Sequence, residues 1–336
     1  MKSLERNLYN LFFSHIYVEK EALAYPGTDE IIKRFPASKI IEISHYKDIF
    51  SRLHQSCGMQ KKSPKLILAV KKDQLVYKGA PVCEDFGNNH FYYTSTAMNC
   101  IYDCEYCYLQ GMYSTANIVV FVNIEDVFGA VEKILEQHSV YISVSYDTDI
   151  LALEHIIGHG KRWIEFSKLH KKLKIELRTK SANFNAIEDM IPQENFILSW
   201  TLSPDSYIRN YENRTPSLAE RLSSVKTAVS RGWKVRLCFD PLIYTKEWRR
   251  LYEEMIEKVF SEVPGEKILD NSIGVFRVSK DYLKRMKKQR GNSVIINYPF
   301  ESVGGVCSYD EKLSQDMICC VYNLVKKHVA ENKIYI

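Results

Sequence analysis

The sequence has no run of about 18 apolar residues, so it offers no segment able to cross a bilayer as a helix. Residues 1–20 mix charge with short apolar pieces and carry no cleavage-site pattern, so no secretory signal is expected. There is no fixed-period repeat and no low-complexity tract. Charge of one sign is scarce: 46 Lys and Arg against 41 Asp and Glu leave a net charge of +5. The resulting pI of about 8.5 permits nucleic-acid binding but falls short of a strongly basic domain. An even set of cysteines is also missing. The nine are Cys57, Cys83, Cys100, Cys104, Cys107, Cys238, Cys307, Cys319 and Cys320. An odd number in a chain expected to be cytoplasmic argues against a disulfide framework and for metal binding or catalysis.

What is present is an ordinary globular composition, 46% hydrophobic and 26% charged over 336 residues. That length suits two modules or one large α/β unit. Residues 1–85 read as a small N-terminal α/β region with a buried strand near 66–70. From residue 90 strands and helices alternate. Strand-like pieces lie at 91–98, 118–123, 140–146, 174–179, 196–202, 234–239 and 273–278. Helical spacing covers 124–138, 151–170, 185–190, 218–231, 247–263 and 281–289. This alternation predicts a parallel sheet. About six βα units predict a partial (β/α)6 TIM-type barrel over 86–280, followed by a C-terminal extension at 281–336. Chemistry in such a barrel collects at the C-terminal strand ends, and a cysteine-rich loop follows the strand at 91–98.

That loop reads Asn99-Cys100-Ile101-Tyr102-Asp103-Cys104-Glu105-Tyr106-Cys107, a C-x3-C-x2-C spacing. Three thiolates so close can bind three irons of a [4Fe–4S] cluster, leaving the fourth iron open to a small molecule. Three alternatives stand beside this reading. One is structural zinc, which prefers four ligands from paired motifs absent downstream. His155 and His159 have i,i+4 spacing, but on one helix they read as surface or core residues. The others are inert buried cysteines and a cluster completed by a distant thiol.

The loop, placed after a barrel strand, resembles that of the radical S-adenosylmethionine (SAM) superfamily. Tyr106-Cys107-Tyr108-Leu109-Gln110 is similar to the C-x-Y-C-Y-L-Q run of the spore photoproduct lyase family. His15-Ile16-Tyr17-Val18-Glu19 and Glu21-Ala22-Leu23-Ala24-Tyr25-Pro26 resemble that family's opening strand and its E-A-L-x-Y-P. Phe121-Val122-Asn123-Ile124-Glu125-Asp126-Val127-Phe128 resembles V-N-L-D-D-I-F. Thr179-Lys180 matches a strand-end T-K, and Tyr207-Ile208-Arg209-Asn210-Tyr211-Glu212 resembles Y-V-I-K-N-F-E. The likeness runs in order over about residues 15–260.

The resemblance implies a radical SAM lyase that reverses the spore photoproduct thymine dimer to two thymines through a 5′-deoxyadenosyl radical. It implies Cys100, Cys104 and Cys107 as cluster ligands, and Tyr106, Tyr108, Thr148, Lys180 and Thr201 at SAM. By the same likeness Tyr106 and Tyr108 also take part in hydrogen relay. UV-damaged DNA and an external one-electron donor of flavodoxin or ferredoxin type are the implied partners; no membrane is.

Two departures stand out. Where relatives carry a donor cysteine in C-T-S-D, this chain has Tyr146-Asp147-Thr148-Asp149. A substitute hydrogen donor is then expected at Cys83 first and Tyr146 second; Cys238, Cys307, Cys319 and Cys320 suit packing better. In place of the family's basic hairpin, residues 294–309 keep Gly304-Gly305, Tyr298, Phe300 and Tyr309 but no Lys or Arg. Phosphate contact is then expected from Lys284, Arg285, Lys287, Lys288 and Arg290, with Tyr298 and Phe300 at the lesion. A solvated helix face is the plainer account of that basic run. Two other functions remain open. One is a related radical SAM enzyme acting on a nucleoside or peptide. The other is a non-catalytic iron–sulfur or zinc DNA-binding protein.

Overall fold

A computed structural model describes residues 13–80 and 83–336. Two sheets form the wall of the barrel. The first orders Lys39–Ile43, His15–Glu19, Leu66–Ala69, Ile118–Phe121 and Ala97–Met98, all parallel except the last. Leu66–Ala69 and Ile118–Phe121 are buried along their whole length. Their unbroken apolar sequence is what a parallel strand covered on both faces requires. In the second sheet, Phe91–Thr94, Val140–Ser143, Leu173–Thr179, Phe196–Thr201, Lys234–Leu242 and Asp270–Val275 run parallel in that order. Val76–Lys78 pairs antiparallel with Phe91–Thr94 at one edge, and Ile334–Tyr335 closes the other. The chain passes from the second sheet to the first between Thr94 and Ala97, where Ser95 bridges to Ser145. This mixed α/β arrangement is the expected partial TIM-type barrel.

The helices cover the wall by their apolar stripes. Ile124–Leu135 buries Ile124, Val127, Val131 and Leu135, while Ile134 is only half-buried. Leu218–Ser230 opens with a capping box between Ser217 and Glu220 and stops at Gly232, whose φ of 87° lies in the left-handed region.

Several elements differ from the expectation. Strand Lys234–Leu242 continues past Phe239 through Pro241, with a register shift between Phe239 and Leu242. The bulge absorbs a residue that cannot donate to the ladder.

The helix expected over 151–170 is two, Ile150–Ile157 and His159–Leu169. Gly158 breaks it at φ 65°. The Glu154 carboxylate then accepts from the amides of Gly160 at 2.6 Å and Lys161 at 2.9 Å, capping the second helix. The histidines His155 and His159 thus sit on different helices. Burial holds the His159 ring at a pKa of about 4, so it is neutral.

In the C-terminal part, Glu301–Val303 and Val306–Ser308 form a hairpin through Gly304 and Gly305, both at positive φ. Arg277–Ser279 adds a third strand.

A methyl group at position 158 meets no neighbour, so the cost of Gly158→Ala is conformational alone. It is expected to lower stability by about 1 kcal/mol, read as a lower urea midpoint with an unchanged m-value.

Candidate functional site

The cysteine loop is built from both ends. Asn99 enters it at φ 73°, a left-handed conformation that asparagine tolerates. Its amide donates to the carbonyls of Thr115 at 2.7 Å and Asn117 at 3.1 Å. Asp103–Cys104 then pairs antiparallel with Glu212–Asn213, and the Glu105 amide donates to Tyr211 O at 2.8 Å. The helical turn Leu109–Met112 ends the loop.

None of the three thiols is in a disulfide; Cys104 is buried, and Cys100 and Cys107 are half-buried. Burial pushes all three thiols up, Cys104 to about 12 against the pull of Lys180. Among the described residues no three His, Cys, Asp or Glu side chains already stand as a metal cage. The donor set nonetheless fits an iron–sulfur cluster: three soft thiols on one short loop, close enough to raise one another's pKa.

Above Cys104 lies a buried ion cluster. Lys180, at the end of Leu173–Thr179, places Nζ 3.8 Å from Cys104 Sγ, 2.7 Å from Tyr106 Oη and 2.9 Å from Glu212 Oε1. It is no solvated strand-end lysine. Glu212 also accepts from Tyr106 Oη, from Ser203 Oγ at 2.8 Å and from Arg221. Burial alone would push the Glu212 carboxyl up; Arg221 and then Lys180 overcome it and hold the carboxyl well below its ordinary 4.5. Arg221 is fully buried and donates further to Thr201 O and Pro216 O, each at 3.1 Å.

Asp149 ties this group to the neighbouring strand end. It accepts from the Lys180 amide at 2.8 Å, Thr179 Oγ1 at 2.7 Å and Ala152 N at 3.0 Å. Thr148 beside it is buried, and its Oγ1 has no hydrogen-bond partner. That hydroxyl is left with a hydrogen bond to give, which a ligand at the strand end could take up. Thr201 is buried too, with its carbonyl engaged by Arg221.

On the other side of the mouth, Tyr108 Oη donates to the Tyr146 carbonyl. Tyr146 Oη lies 3.7 Å from Cys83 Sγ. Burial, and then Cys83, push the Tyr146 phenol up, so it keeps its proton. The two candidate donors are therefore neighbours.

The basic helix Lys280–Gln289 packs against the segment that ends the cysteine loop. Arg285 donates to Gly111 O. Arg290 donates to Gln110 Oε1 at 2.9 Å and to Asp103, which Lys61 also meets. These two arginines grip the cysteine loop. Gly111 allows the approach, since a Cβ there would stand 2.5 Å from Tyr282 Cβ. Lys284 and Lys288 are exposed and Lys287 is half-buried. Tyr298 and Phe300 are half-buried and pack with buried Tyr309 at 5.0 and 5.2 Å between ring centroids. Cys238 and Cys307 are buried, but Cys319 is exposed, so packing does not account for it.

The sequence reading missed Glu212, Arg221, Asp149 and Ser203. Glu212 and Asp149 stood in runs already matched, yet nothing in their spacing marks a charge that meets Lys180.

The chain as a whole is similar to known proteins. A family profile described as Spore photoproduct lyase matches residues 12–300. A protein of that name from Clostridium acetobutylicum is 25% identical over 270 residues, 78% of this chain and 77% of the relative. Its Bacillus subtilis counterpart is 23% identical over 259 residues, 75% and 74% of the two chains. Among solved structures, a spore photoproduct lyase variant with dinucleoside spore photoproduct superposes with a TM-score of 0.83. It is 19% identical, and the match covers 97% of this chain and 98% of that one. A variant with bound SAM and the same dinucleoside gives 0.82 at 19% identity, covering 97% and 98%.

Replacing Glu212 leaves two buried cations short of an anion, so Glu212→Gln is expected to cost about 3 kcal/mol of stability. The carboxyl's folded pKa is depressed, so its contribution is full above the ordinary 4.5 and is lost as pH falls toward the lower folded value. The gap between wild type and variant in urea midpoint is therefore expected to be flat at neutral pH and to narrow below pH 4.5.

Proposed function

Because the chain belongs to the spore photoproduct lyase family, we propose that it is a radical SAM lyase that returns the spore photoproduct in UV-damaged DNA to two thymines. The observation that carries this reading is the arrangement around Cys104. A C-x3-C-x2-C loop of free thiols faces a half-buried lysine 3.8 Å from one of them. Cys100, Cys104 and Cys107 would hold three irons of a [4Fe–4S] cluster, leaving the fourth for the amino and carboxylate groups of SAM. When bound, the pair supplies one electron to the sulfonium and so a 5′-deoxyadenosyl radical.

The protein's own residues do the rest. Lys180 is an ammonium held in place by Glu212 and Tyr106, ready to meet a carboxylate. Thr148 and Thr201 offer hydroxyls at neighbouring strand ends. Tyr108 braces the backbone at Tyr146. The barrel wall keeps water from the radical.

After hydrogen abstraction from the lesion and fragmentation, a thymine radical needs one hydrogen atom. Cys83 S–H gives it and becomes a thiyl radical. Tyr146 O–H, 3.7 Å away, is placed to pass its own hydrogen to that sulfur. The hydrogen that restores the Tyr146 phenol would come back from the cofactor's 5′-deoxyadenosyl group, which would let SAM act without being consumed. The electron donor is an external flavodoxin- or ferredoxin-type protein. Among the described residues no helix is long and apolar enough to cross a membrane. We assign residues 86–280 to the SAM-binding unit, with 1–85 and 281–336 as its N-terminal and C-terminal additions.

The absence of Lys and Arg from the hairpin favours one second reading, the same radical used on a nucleoside or peptide. Anaerobically reconstituted protein, reduced and given SAM and the dinucleotide photoproduct, is expected to release the thymine dinucleotide. Cleavage of SAM without that product would favour the second reading. Cys104→Ala is expected to abolish SAM cleavage. Cys83→Ala is expected to slow repair at least ~10-fold, a barrier increase of about 1.4 kcal/mol. Unchanged repair in that variant would leave Tyr146 as the donor.

A further inference from the structure

Beside Tyr146 the barrel mouth carries an aromatic stack with a cation at its end. Tyr77 and Tyr93 are directly opposed across the antiparallel strands Val76–Lys78 and Phe91–Thr94. Their rings stack at 5.0 Å with 14° between planes, and Tyr93 stacks on Tyr146 at 4.0 Å and 23°. Lys71 follows the C-terminal end of Leu66–Ala69. Its Nζ lies 5.2 Å from the Tyr77 ring centre and 4.9 Å from that of Phe121. Asn123 pins the Lys71 backbone on both sides, accepting from its amide at 2.8 Å and donating to its carbonyl at 2.9 Å.

The ammonium has no anion of its own. Among the described residues Lys71 Nζ makes no hydrogen bond or ion pair. The carboxylates it feels act at longer range: Asp147 is buried and bonded to Ser95, and Asp73 pairs with Lys47. Burial pulls the Lys71 pKa down. Aromatic faces hold a cation without neutralising it, so its charge stays available to an incoming anion. The hairpin that would otherwise supply cations has none between Val294 and Tyr309.

We propose that Lys71, held on Tyr77 and Phe121, is the phosphate-binding group for the nucleic-acid strand, taking the phosphodiester next to the damaged pyrimidine pair. This rests on the lyase reading above, since that reading puts the lesion at Cys83 and Tyr146. The Tyr77–Tyr93–Tyr146 stack then fixes how far the phosphate stands from the hydrogen donors.

The test uses the full chain without SAM or reductant and a fluorescent single-stranded oligothymidylate, followed by anisotropy across a salt series. Losing one phosphate contact is expected to flatten the slope of log K on log salt by about 0.7. We expect Lys71→Met to do so and to weaken binding several-fold at low salt, and Lys71→Arg to keep both. We also expect the Lys71→Met urea midpoint to be equal or higher, because an unpaired desolvated charge is removed. An unchanged slope overturns the proposal. So does a fall in midpoint alongside the loss of binding, which would make Lys71 a structural prop. Binding through Lys71 without photoproduct repair would keep this site and remove the lyase reading. Repair with an unaltered Lys71→Met slope would do the reverse.

Discussion

The site depends on one buried anion. Glu212 is the point where four otherwise separate pieces of chain meet: the cysteine loop through Tyr106, the strand end through Lys180, the following strand through Ser203, and the helix through Arg221. Two cations inside a protein are costly unless an anion shares their space. Here one carboxylate serves both, and its backbone also pairs with Cys104. The same residue thus fixes the loop's position by hydrogen bonds along the chain and its electrostatics by its side chain.

Around that centre the barrel brings strand ends together in the order its sheets dictate. Asp149 and Lys180 belong to consecutive βα units, and their contact sets the spacing between the threonine hydroxyl at 148 and the ammonium. The mouth is divided. One side is ionic, built on Glu212, Lys180 and Arg221. The other is aromatic, built on Tyr108, Tyr146, Tyr93 and Tyr77. An anionic ligand suits the first side; a hydrogen-atom relay needs the second, whose phenols burial keeps protonated.

Much of this was legible in the sequence. The cysteine spacing located the loop, and apolar periodicity located most strands and helices, because burial on one or two faces writes itself directly into residue type. Thr179-Lys180 was found because it closes a matched strand. What stayed hidden depends on distances along the chain that no period encodes. Glu212 reaches Tyr106 across more than a hundred residues, and Arg290 reaches Asp103 across still more. The helix break at Gly158 escaped because apolar spacing continues through it; only a backbone angle and the Glu154 cap separate the two halves. The bonds that Arg285 and Arg290 make to the cysteine loop were hidden too, because charge on a helix names no partner.

The close approach at Gly111 has a consequence for how this molecule can be altered. With Tyr282 against that glycine and two arginines of the same segment anchored in the cysteine loop, the helix Lys280–Gln289 is masonry for that loop rather than a free arm. The hairpin it leads into is therefore mounted on the same foundation as Cys100, Cys104 and Cys107. Exchanging that hairpin for a more basic one is a local graft only if the cut falls after Arg290. A cut made earlier removes a wall of the site along with the surface it was meant to change.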